Sequence, residues 1–155
     1  MSLPTPVVLS PGELADTVRR FAARPALWRP LVRFTSPGRH YRRLEVTADH
    51  EVWLLTWLPG QGTEIHDHGG SAGSFGVVEG ALTERAFHAP APAPRLLGTG
   101  AVRAFGPRHI HQVTNRGARP AVSIHAYAPA LTTQSYYAQD ADGGLTLVRT
   151  DAVTE

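Results

Sequence analysis

The sequence predicts a mainly β protein, a sandwich or small barrel preceded by a short helical segment. Two observations carry this fold class: a capped amphipathic stretch near the start, and about eleven short apolar runs from residue 41 onward, separated by Gly, Pro and Asp-Gly breaks. The length of 155 residues, with 42% hydrophobic and 18% charged residues, is typical of one globular domain. We therefore expect a single domain over residues 1–155, with the helical segment at about 10–34 and the barrel at about 41–150.

The helical segment begins at a recognisable cap. Residues 10–13, Ser-Pro-Gly-Glu, supply a capping serine, a proline at the first helical position and a glutamate that closes a capping box. Apolar residues then recur three and four positions apart until Pro25, which predicts a helix with one buried face. The members of that face are Leu14, Val18, Phe21 and Ala22. Apolar residues between positions 27 and 31 indicate a second short helix.

The β region consists of short runs rich in Val, Leu, Ile, Phe and Trp. Alternating alanine and proline at 89–94 cannot donate a continuous strand ladder, so we predict an extended linker there. The predicted strands lie near 42–47, 51–58, 64–68, 73–79, 82–88, 95–97, 101–105, 110–114, 121–128, 134–139 and 145–149.

Composition excludes several classes of function. Cysteine is absent, so the chain has no disulfide, no thiolate metal ligand and no cysteine nucleophile. All 15 basic residues are arginines scattered along the chain, and we expect no nucleic-acid partner. No apolar run reaches the roughly 18 residues of a membrane span, and the first residues lack the pattern of a secretory signal. We expect a cytoplasmic monomer without membrane contact.

The most informative segment contains a His-x-His pair. Residues two apart in a strand share a face, so His66 and His68 can present two imidazoles side by side while Ile65 and Asp67 point away. Isolated pairs of this kind are usually solvated strand residues. Here flanking glycines allow the backbone to bend closely around a site, and a second histidine segment follows, so we interpret the pair as metal ligands.

The third candidate ligand is His111, in another predicted strand. His109 shares its strand face but follows Gly106-Pro107-Arg108, which is typical of a turn, and we expect no metal role for it. His125 lies in the predicted strand at 121–128. The other three histidines, His40, His50 and His88, are interpreted as surface or strand-end residues.

Two stretches resemble the cupin motifs. The first comprises Gly60, His66, His68, Gly73 and Gly80, and the second comprises Gly100, His111 and Asn115. Most cupins carry a glutamate ligand where this chain has Gly73. A cupin with three histidines and no carboxylate resembles the thiol dioxygenases, which implies iron(II) as the cofactor and a small jelly-roll-like cupin barrel as the fold.

Residues 41–127 resemble cysteine dioxygenase more specifically. Tyr41-Arg42-Arg43 is similar to the family's Tyr-x-Arg, which implies substrate binding by Tyr41 and Arg43, with Arg43 on the substrate carboxylate. Gly73 stands where mammalian enzymes have the cysteine of a Cys–Tyr thioether, so that crosslink is impossible in this chain.

The segment 123–127 is similar to the family's Ser-x-His-x-Tyr. Ser123, His125 and Tyr127 are two residues apart and share a strand face. The resemblance implies that Tyr127 points its hydroxyl at the iron as a hydrogen-bond donor or proton carrier, while Ser123 and His125 brace it.

The implied reaction converts L-cysteine and O2 to cysteine sulfinate, a step in cysteine catabolism. One alternative is 3-mercaptopropionate dioxygenase, although that group commonly has glutamine where this chain has Arg43. An alternative of another class is a metal-binding cupin without catalysis. The residues alone do not identify the metal, because histidine-rich sites also bind nickel, copper or zinc.

Overall fold

The structure, a computed structural model, describes residues 8–88, 90 and 92–153. Its architecture confirms the predicted mainly β class, since eleven antiparallel strands form two sheets after one helix. The start of the chain and part of the predicted linker at 89–94 lie outside the described residues. The strands are β1 (Tyr41–Val46), β2 (Glu51–Trp57), β3 (Ile65–His66), β4 (Ala72–Glu79), β5 (Ala81–Ala86), β6 (Arg95–Gly98), β7 (Val102–Phe105), β8 (His111–Thr114), β9 (Ala121–Ala128), β10 (Thr133–Gln139) and β11 (Leu145–Ala152).

Helix α1 spans Pro11–Ala22 and has the predicted capping box. The Glu13 amide donates to Ser10 Oγ at 3.1 Å, and the Ser10 amide donates to Glu13 Oε1 at 3.2 Å. Leu14 and Val18 are fully buried against the five-stranded sheet. The cap fixes the helix start, and the apolar face holds the helix on that sheet.

The predicted second helix forms only two short 3-10 turns, at Pro25–Leu27 and Arg29–Leu31. Each turn has a proline at one of its first two positions. A proline donates no backbone N–H and clashes with a preceding helical turn, so a continuous helix cannot pass through this segment.

The two sheets enclose the interior in which the candidate site lies. The five-stranded sheet has the order β1-β2-β9-β4-β7, and the six-stranded sheet has the order β11-β10-β3-β8-β5-β6. Strand β9 is buried on both faces. Its even-numbered residues pack in the cluster under α1, whereas Ser123, His125 and Tyr127 alternate with them and face the other way.

Strand β3 is shorter than predicted. It contains Ile65 and His66, and His68 lies beyond its end. The chain turns at Gly69, which has φ 58°, and a Cβ there would clash with the Thr133 carbonyl oxygen. Asp67 holds this turn, because its Oδ1 accepts hydrogen bonds from the amides of Gly69 and Ser135.

None of the helices among the described residues has the length and apolar character needed to cross a membrane.

Candidate metal centre

Three histidines converge between the sheets. His66 and His111 are direct partners across the β3–β8 pairing, and His68 follows two residues after His66. One ring nitrogen from each of the three lies within 4.8 Å of the others, and all three side chains are buried. The structure therefore brings the three predicted ligands together, although His68 lies beyond the end of β3 and not within a strand.

Hydrogen bonds fix the ring orientation of two of these histidines. His66 Nδ1 lies 2.8 Å from the Glu64 carbonyl oxygen, and His111 Nδ1 lies 2.8 Å from Glu84 Oε2. Carbonyl and carboxylate oxygens only accept, so each Nδ1 carries the proton. The Nε2 lone pair of each ring is then available to a metal.

His68 provides the test of whether the site fits a metal. Its two ring nitrogens are buried and have no hydrogen-bond partner among the described residues. A buried polar atom without a partner is costly, so such atoms in native proteins require an explanation. A metal ion held together with His66 and His111 would supply a partner for one of these two nitrogens.

The electrostatics of the site also favour metal binding. Burial, with a further contribution from His111, lowers the pKa of His66 to about 3. Burial likewise lowers the pKa of His68 and of His111 below the ordinary value. All three imidazoles are therefore neutral at physiological pH, and a metal need not displace a proton to bind them.

Position 73 contributes neither a ligand nor space for a larger side chain. A Cβ on Gly73 would lie 2.5 Å from Phe105 Cζ and 3.0 Å from Tyr127 Cδ1. The Phe105 ring occupies this space and packs on His68 and His109, with ring centroids 4.7 and 4.5 Å apart. The phenylalanine thus fills the place next to Tyr127 where a side chain at position 73 would lie.

This packing makes a stability prediction. Gly73→Ala should lower the free energy of unfolding by about 1–3 kcal/mol, because the new methyl group overpacks the contact with Phe105. Gly98→Ala in β6 is the matched control, since no atom lies within 4 Å of the Cβ position there. Urea unfolding of both variants measures the difference. Equal stabilities would mean that Phe105 moves aside freely.

A buried hydrogen-bonded chain leads to Tyr127. Trp57 Nε1 donates to Ser123 Oγ at 2.8 Å, Ser123 Oγ lies 2.8 Å from His125 Nε2, and His125 Nδ1 lies 3.3 Å from the Tyr127 hydroxyl. The indole only donates, and His125 Nε2 is the remaining partner of the serine among the described residues, so the serine proton goes to Nε2. Nδ1 then donates to Tyr127.

This direction leaves the Tyr127 hydroxyl proton free to point into the cavity. Burial keeps the pKa of His125 well below its ordinary value, so the ring is neutral. Burial, together with the charge of Glu51, raises the pKa of Tyr127. Tyr127 is therefore a protonated phenol, able to donate a hydrogen bond at the site.

A cavity of about 460 Å³ opens beside the histidines. Its wall combines aromatic rings with a small number of polar groups, which is typical of a small-molecule site. The residues of this wall that bear on the chemistry are Arg39, Tyr41, Trp53, Trp57, His66, His111, His125, Tyr127, Gln134 and Tyr136.

Arg39, and not the predicted Arg43, contributes the guanidinium of this wall. The Arg39 guanidinium lies 4.3 Å from the centroid of the Trp57 ring, and its buried Nη1 has no hydrogen-bond partner among the described residues. Its charge adds to the burial that lowers the pKa of His66 and of His125, and it opposes the burial that raises the pKa of Tyr127. Its pKa is lowered by burial, but an arginine stays cationic.

Arg43 lies elsewhere. It is not among the described residues that line the cavity, and its Nη1 lies 3.8 Å from Oε1 of the buried Glu51. Its guanidinium also lies 5.8 Å from the centroid of the Trp53 ring. Tyr41, the other predicted substrate-binding residue, does line the cavity. The carboxylate-binding role predicted for Arg43 therefore has a better placed candidate in Arg39.

The strand register explains the difference. Tyr41 pairs with Leu55 and Arg43 pairs with Trp53, so the same register places position 39 opposite Trp57. Arg39, Tyr41 and Arg43 are spaced two residues apart, so alternation along an extended chain places them on one face. The sequence did not indicate which of the two arginines lies at the level of the cavity, since that depends on the register.

Glu84 is a buried residue near the site that sequence reasoning missed. Its carboxylate is 2% exposed and accepts hydrogen bonds from His109, His111 and Arg103. Burial alone would raise the pKa of Glu84, but these three hydrogen bonds outweigh it and hold the pKa far below the usual range. A glutamate between the buried Leu82 and Ala86 in a strand was the available signal. His109, for which the sequence predicted a place after a turn and no metal role, lies beside the metal cluster and contacts Glu84.

The chain is similar to known proteins in sequence and in fold. The profile of the family described as cysteine dioxygenase type I matches residues 11–140. A structure from Thermus thermophilus has a TM-score of 0.59 and 24% identity, covering 66% of this chain and 93% of its own. A Klebsiella pneumoniae protein with a double-stranded β-helix domain has a TM-score of 0.59 and 19% identity, covering 78% and 93%. A cupin-superfamily sugar phosphate isomerase from Silicibacter pomeroyi has a TM-score of 0.54 and 25% identity, covering 72% and 76%.

Proposed function

We propose that this chain, which belongs to the cysteine dioxygenase type I family, uses iron(II) to add both atoms of O2 to the thiol of L-cysteine. Family membership and the buried histidine trio make the chain a metal-dependent thiol dioxygenase. The proposal adds the metal and the substrate. The observation that carries it is a trio of neutral imidazoles beside a cavity whose wall holds the Arg39 guanidinium and the Tyr127 phenol.

The three histidines suit a thiolate substrate. A site without a carboxylate ligand leaves the full +2 charge on a bound metal, and this charge favours an anionic sulfur. When bound, iron(II) would hold the thiolate and dioxygen side by side and lower the pKa of the thiol. Zinc has no redox chemistry, which makes it a suitable inactive comparison.

The overall reaction balances without a further reductant. Two S–O bonds form while the O–O bond breaks, and the four electrons that sulfur loses are accepted by the two oxygen atoms. The thiol proton leaves when the thiolate binds, and the sulfinate product keeps the negative charge. Cysteine and O2 are therefore the only reactants that the proposal needs.

Arg39 is the proposed anchor of the substrate carboxylate. Its guanidinium is planar and presents paired N–H donors that match a carboxylate. The Trp57 ring supports the guanidinium from one side, and the buried Nη1 keeps a donor without a partner among the described residues. Binding the carboxylate there leaves the thiol free to reach the histidine trio.

Tyr127 is the proposed hydrogen-bond donor to the oxygen that reacts. Ser123 and His125 hold its oxygen as an acceptor, so its own proton faces the cavity. The raised pKa of Tyr127 keeps that proton in place at neutral pH. The residue can stabilise negative charge that develops on oxygen without being deprotonated itself.

Tyr127→Phe should fold and bind metal normally but lower kcat for cysteine by about ten- to hundredfold, since a hydrogen bond to a charged group contributes roughly 1.5–3 kcal/mol. Steady-state oxygen consumption measures the effect. Tyr136→Phe is the matched control, because the Tyr136 hydroxyl also lies at the cavity but donates to Gln134. An unchanged kcat in Tyr127→Phe would reduce Tyr127 to a packing role.

The decisive experiment is a substrate and metal panel. Apoprotein is loaded with Fe²⁺ or Zn²⁺, and oxygen uptake is recorded with cysteine, 3-mercaptopropionate and cysteamine in parallel. We expect uptake only with Fe²⁺, fastest with cysteine, with sulfinate formed in a 1:1 ratio to O2. Faster oxygen uptake with 3-mercaptopropionate would make that thiol the substrate instead of cysteine. No oxygen uptake with any thiol would reject the proposed activity.

A further inference from the structure

Glu84 makes an unusual set of contacts beside the metal cluster. In strand β5 its Oε1 accepts from Arg103 Nε at 2.7 Å, and its Oε2 accepts from His111 Nδ1 at 2.8 Å and from His109 Nε2 at 3.2 Å. No role in binding substrate follows from these contacts, because Glu84 does not line the described cavity. Its contacts lead instead to one of the three candidate ligands.

A carboxylate in this position is costly to bury. Leu82 and Ala86, the strand neighbours on the same face, are buried and apolar, and an apolar residue at position 84 would continue that pattern. Burial of an ion pair contributes little net stability relative to well-packed apolar residues. The side chain is therefore better explained by what it does to His111 than by stability.

We propose that Glu84 is a positioning residue that fixes the tautomer and orientation of His111, with Arg103 and His109 holding its carboxylate in place. The inference rests on the proposed metal site. An ionised carboxylate is an acceptor only, so His111 must donate from Nδ1 and keep Nε2 free of a proton. Carboxylate–histidine–metal arrangements of this kind orient the ring and raise its basicity as a ligand.

The same atoms do not form a second metal site. Glu84, His109 and His111 each have one possible ligand atom within 4.8 Å of the other two. However, the Arg103 guanidinium contacts Glu84 Oε1, and His111 Nδ1 already carries the proton of a hydrogen bond. A cation there would face a positive charge and lack a lone pair from His111. The proposal therefore requires one metal per chain.

The arrangement also bounds the size of the effect. Arg103 and Glu84 form a close ion pair, so groups farther away experience little of the Glu84 charge. The direct hydrogen bond to His111 remains as the main contribution. Loss of such a partner typically weakens metal binding 10- to 100-fold.

Glu84→Gln tests the proposal, since the amide has nearly the same shape but can accept on one side only. If its oxygen faces Arg103, its NH₂ group faces His111 Nδ1, and His111 must move its proton to Nε2. We expect Fe²⁺, titrated into apoprotein without oxygen, to bind 10- to 100-fold more weakly. ¹⁵N NMR of the apoprotein should show His111 shifting from the Nδ1–H toward the Nε2–H tautomer, a change that a purely structural role would not produce.

Glu64→Gln is the matched control for charge. The Glu64 carboxylate pairs with Arg149, and only its backbone carbonyl contacts His66. This variant should keep Fe²⁺ affinity within about threefold and leave the His111 tautomer unchanged. Equal weakening in both variants would overturn the proposal, because the effect would then come from charge alone.

Wild-type protein supplies a measurement that does not depend on the folding of any variant. In apoprotein His111 must carry its proton on Nδ1, and a proton on Nε2 overturns the proposal. An unchanged Fe²⁺ affinity in folded Glu84→Gln also overturns it, while leaving the proposed dioxygenase activity intact. Binding of two metal ions per chain would overturn it by making Glu84 a ligand.

Discussion

His111→Ala is expected to abolish stoichiometric metal binding and, with it, thiol oxidation. The substitution leaves two imidazoles, His66 and His68, where the trio had three. It also leaves the buried Glu84 carboxylate without one of its donors. Metal content by mass spectrometry and oxygen uptake with cysteine measure both losses. In metal-loaded protein we expect the three metal–nitrogen distances to be about 2.0–2.2 Å, as for other first-row metals bound to imidazole.

His109→Ala is the matched comparison for this prediction. Its ring lies beside the trio and contacts the same Glu84 carboxylate, but none of its atoms belongs to the His66, His68 and His111 group. We expect this variant to keep one metal per chain. Full metal in His111→Ala together with loss in His109→Ala would reverse the assignment and make Glu84, His109 and a further group the metal site.

The fold was predictable because its signals are local. Alternation of apolar residues marks each strand, and Gly, Pro and Asp-Gly breaks mark the turns between them. All eleven predicted strands appear, and the capping box at Ser10 begins the helix at Pro11 as expected. The errors fall where tertiary contacts decide the backbone. The Gly69 turn against Thr133 ends β3 early, and prolines divide the segment after α1 into two 3-10 turns.

The histidine trio was also predictable, since two of its members are close in sequence and the third belongs to a matching motif. Arg39 was not, because its place depends on the register of the β1–β2 hairpin, which residues 47–50 connect. If the turn of the hairpin moved by two residues along each strand, Arg43 instead of Arg39 would lie opposite Trp57, at the level of the cavity. Glu84 was missed because its partners His111 and Arg103 come from strands distant in sequence.

Arg39→Ala is expected to lower kcat/KM for cysteine by roughly thirty- to several-thousand-fold. Removing the partner of a carboxylate in a partly dry cavity costs about 2–5 kcal/mol, and each 1.4 kcal/mol corresponds to about tenfold. Metal content should not change, because Arg39 contacts Trp57 and no histidine of the trio by hydrogen bond. Cysteamine has the thiol and amine but no carboxylate, so its slow turnover should be nearly the same in wild type and variant.

Arg43→Ala decides between the two arginines. Its guanidinium contacts Glu51 and Trp53, so its loss should lower stability, while kcat/KM for cysteine should fall much less than in Arg39→Ala. The exposed Arg42 supplies a surface control, and Arg42→Ala should change kcat/KM by less than about threefold. The opposite result would be a large fall in kcat/KM for cysteine in Arg43→Ala, with normal metal content, and little fall in Arg39→Ala. Arg43 would then be the residue that binds the substrate carboxylate. Equal losses for cysteine and cysteamine in Arg39→Ala would indicate a damaged metal site instead of a lost carboxylate anchor.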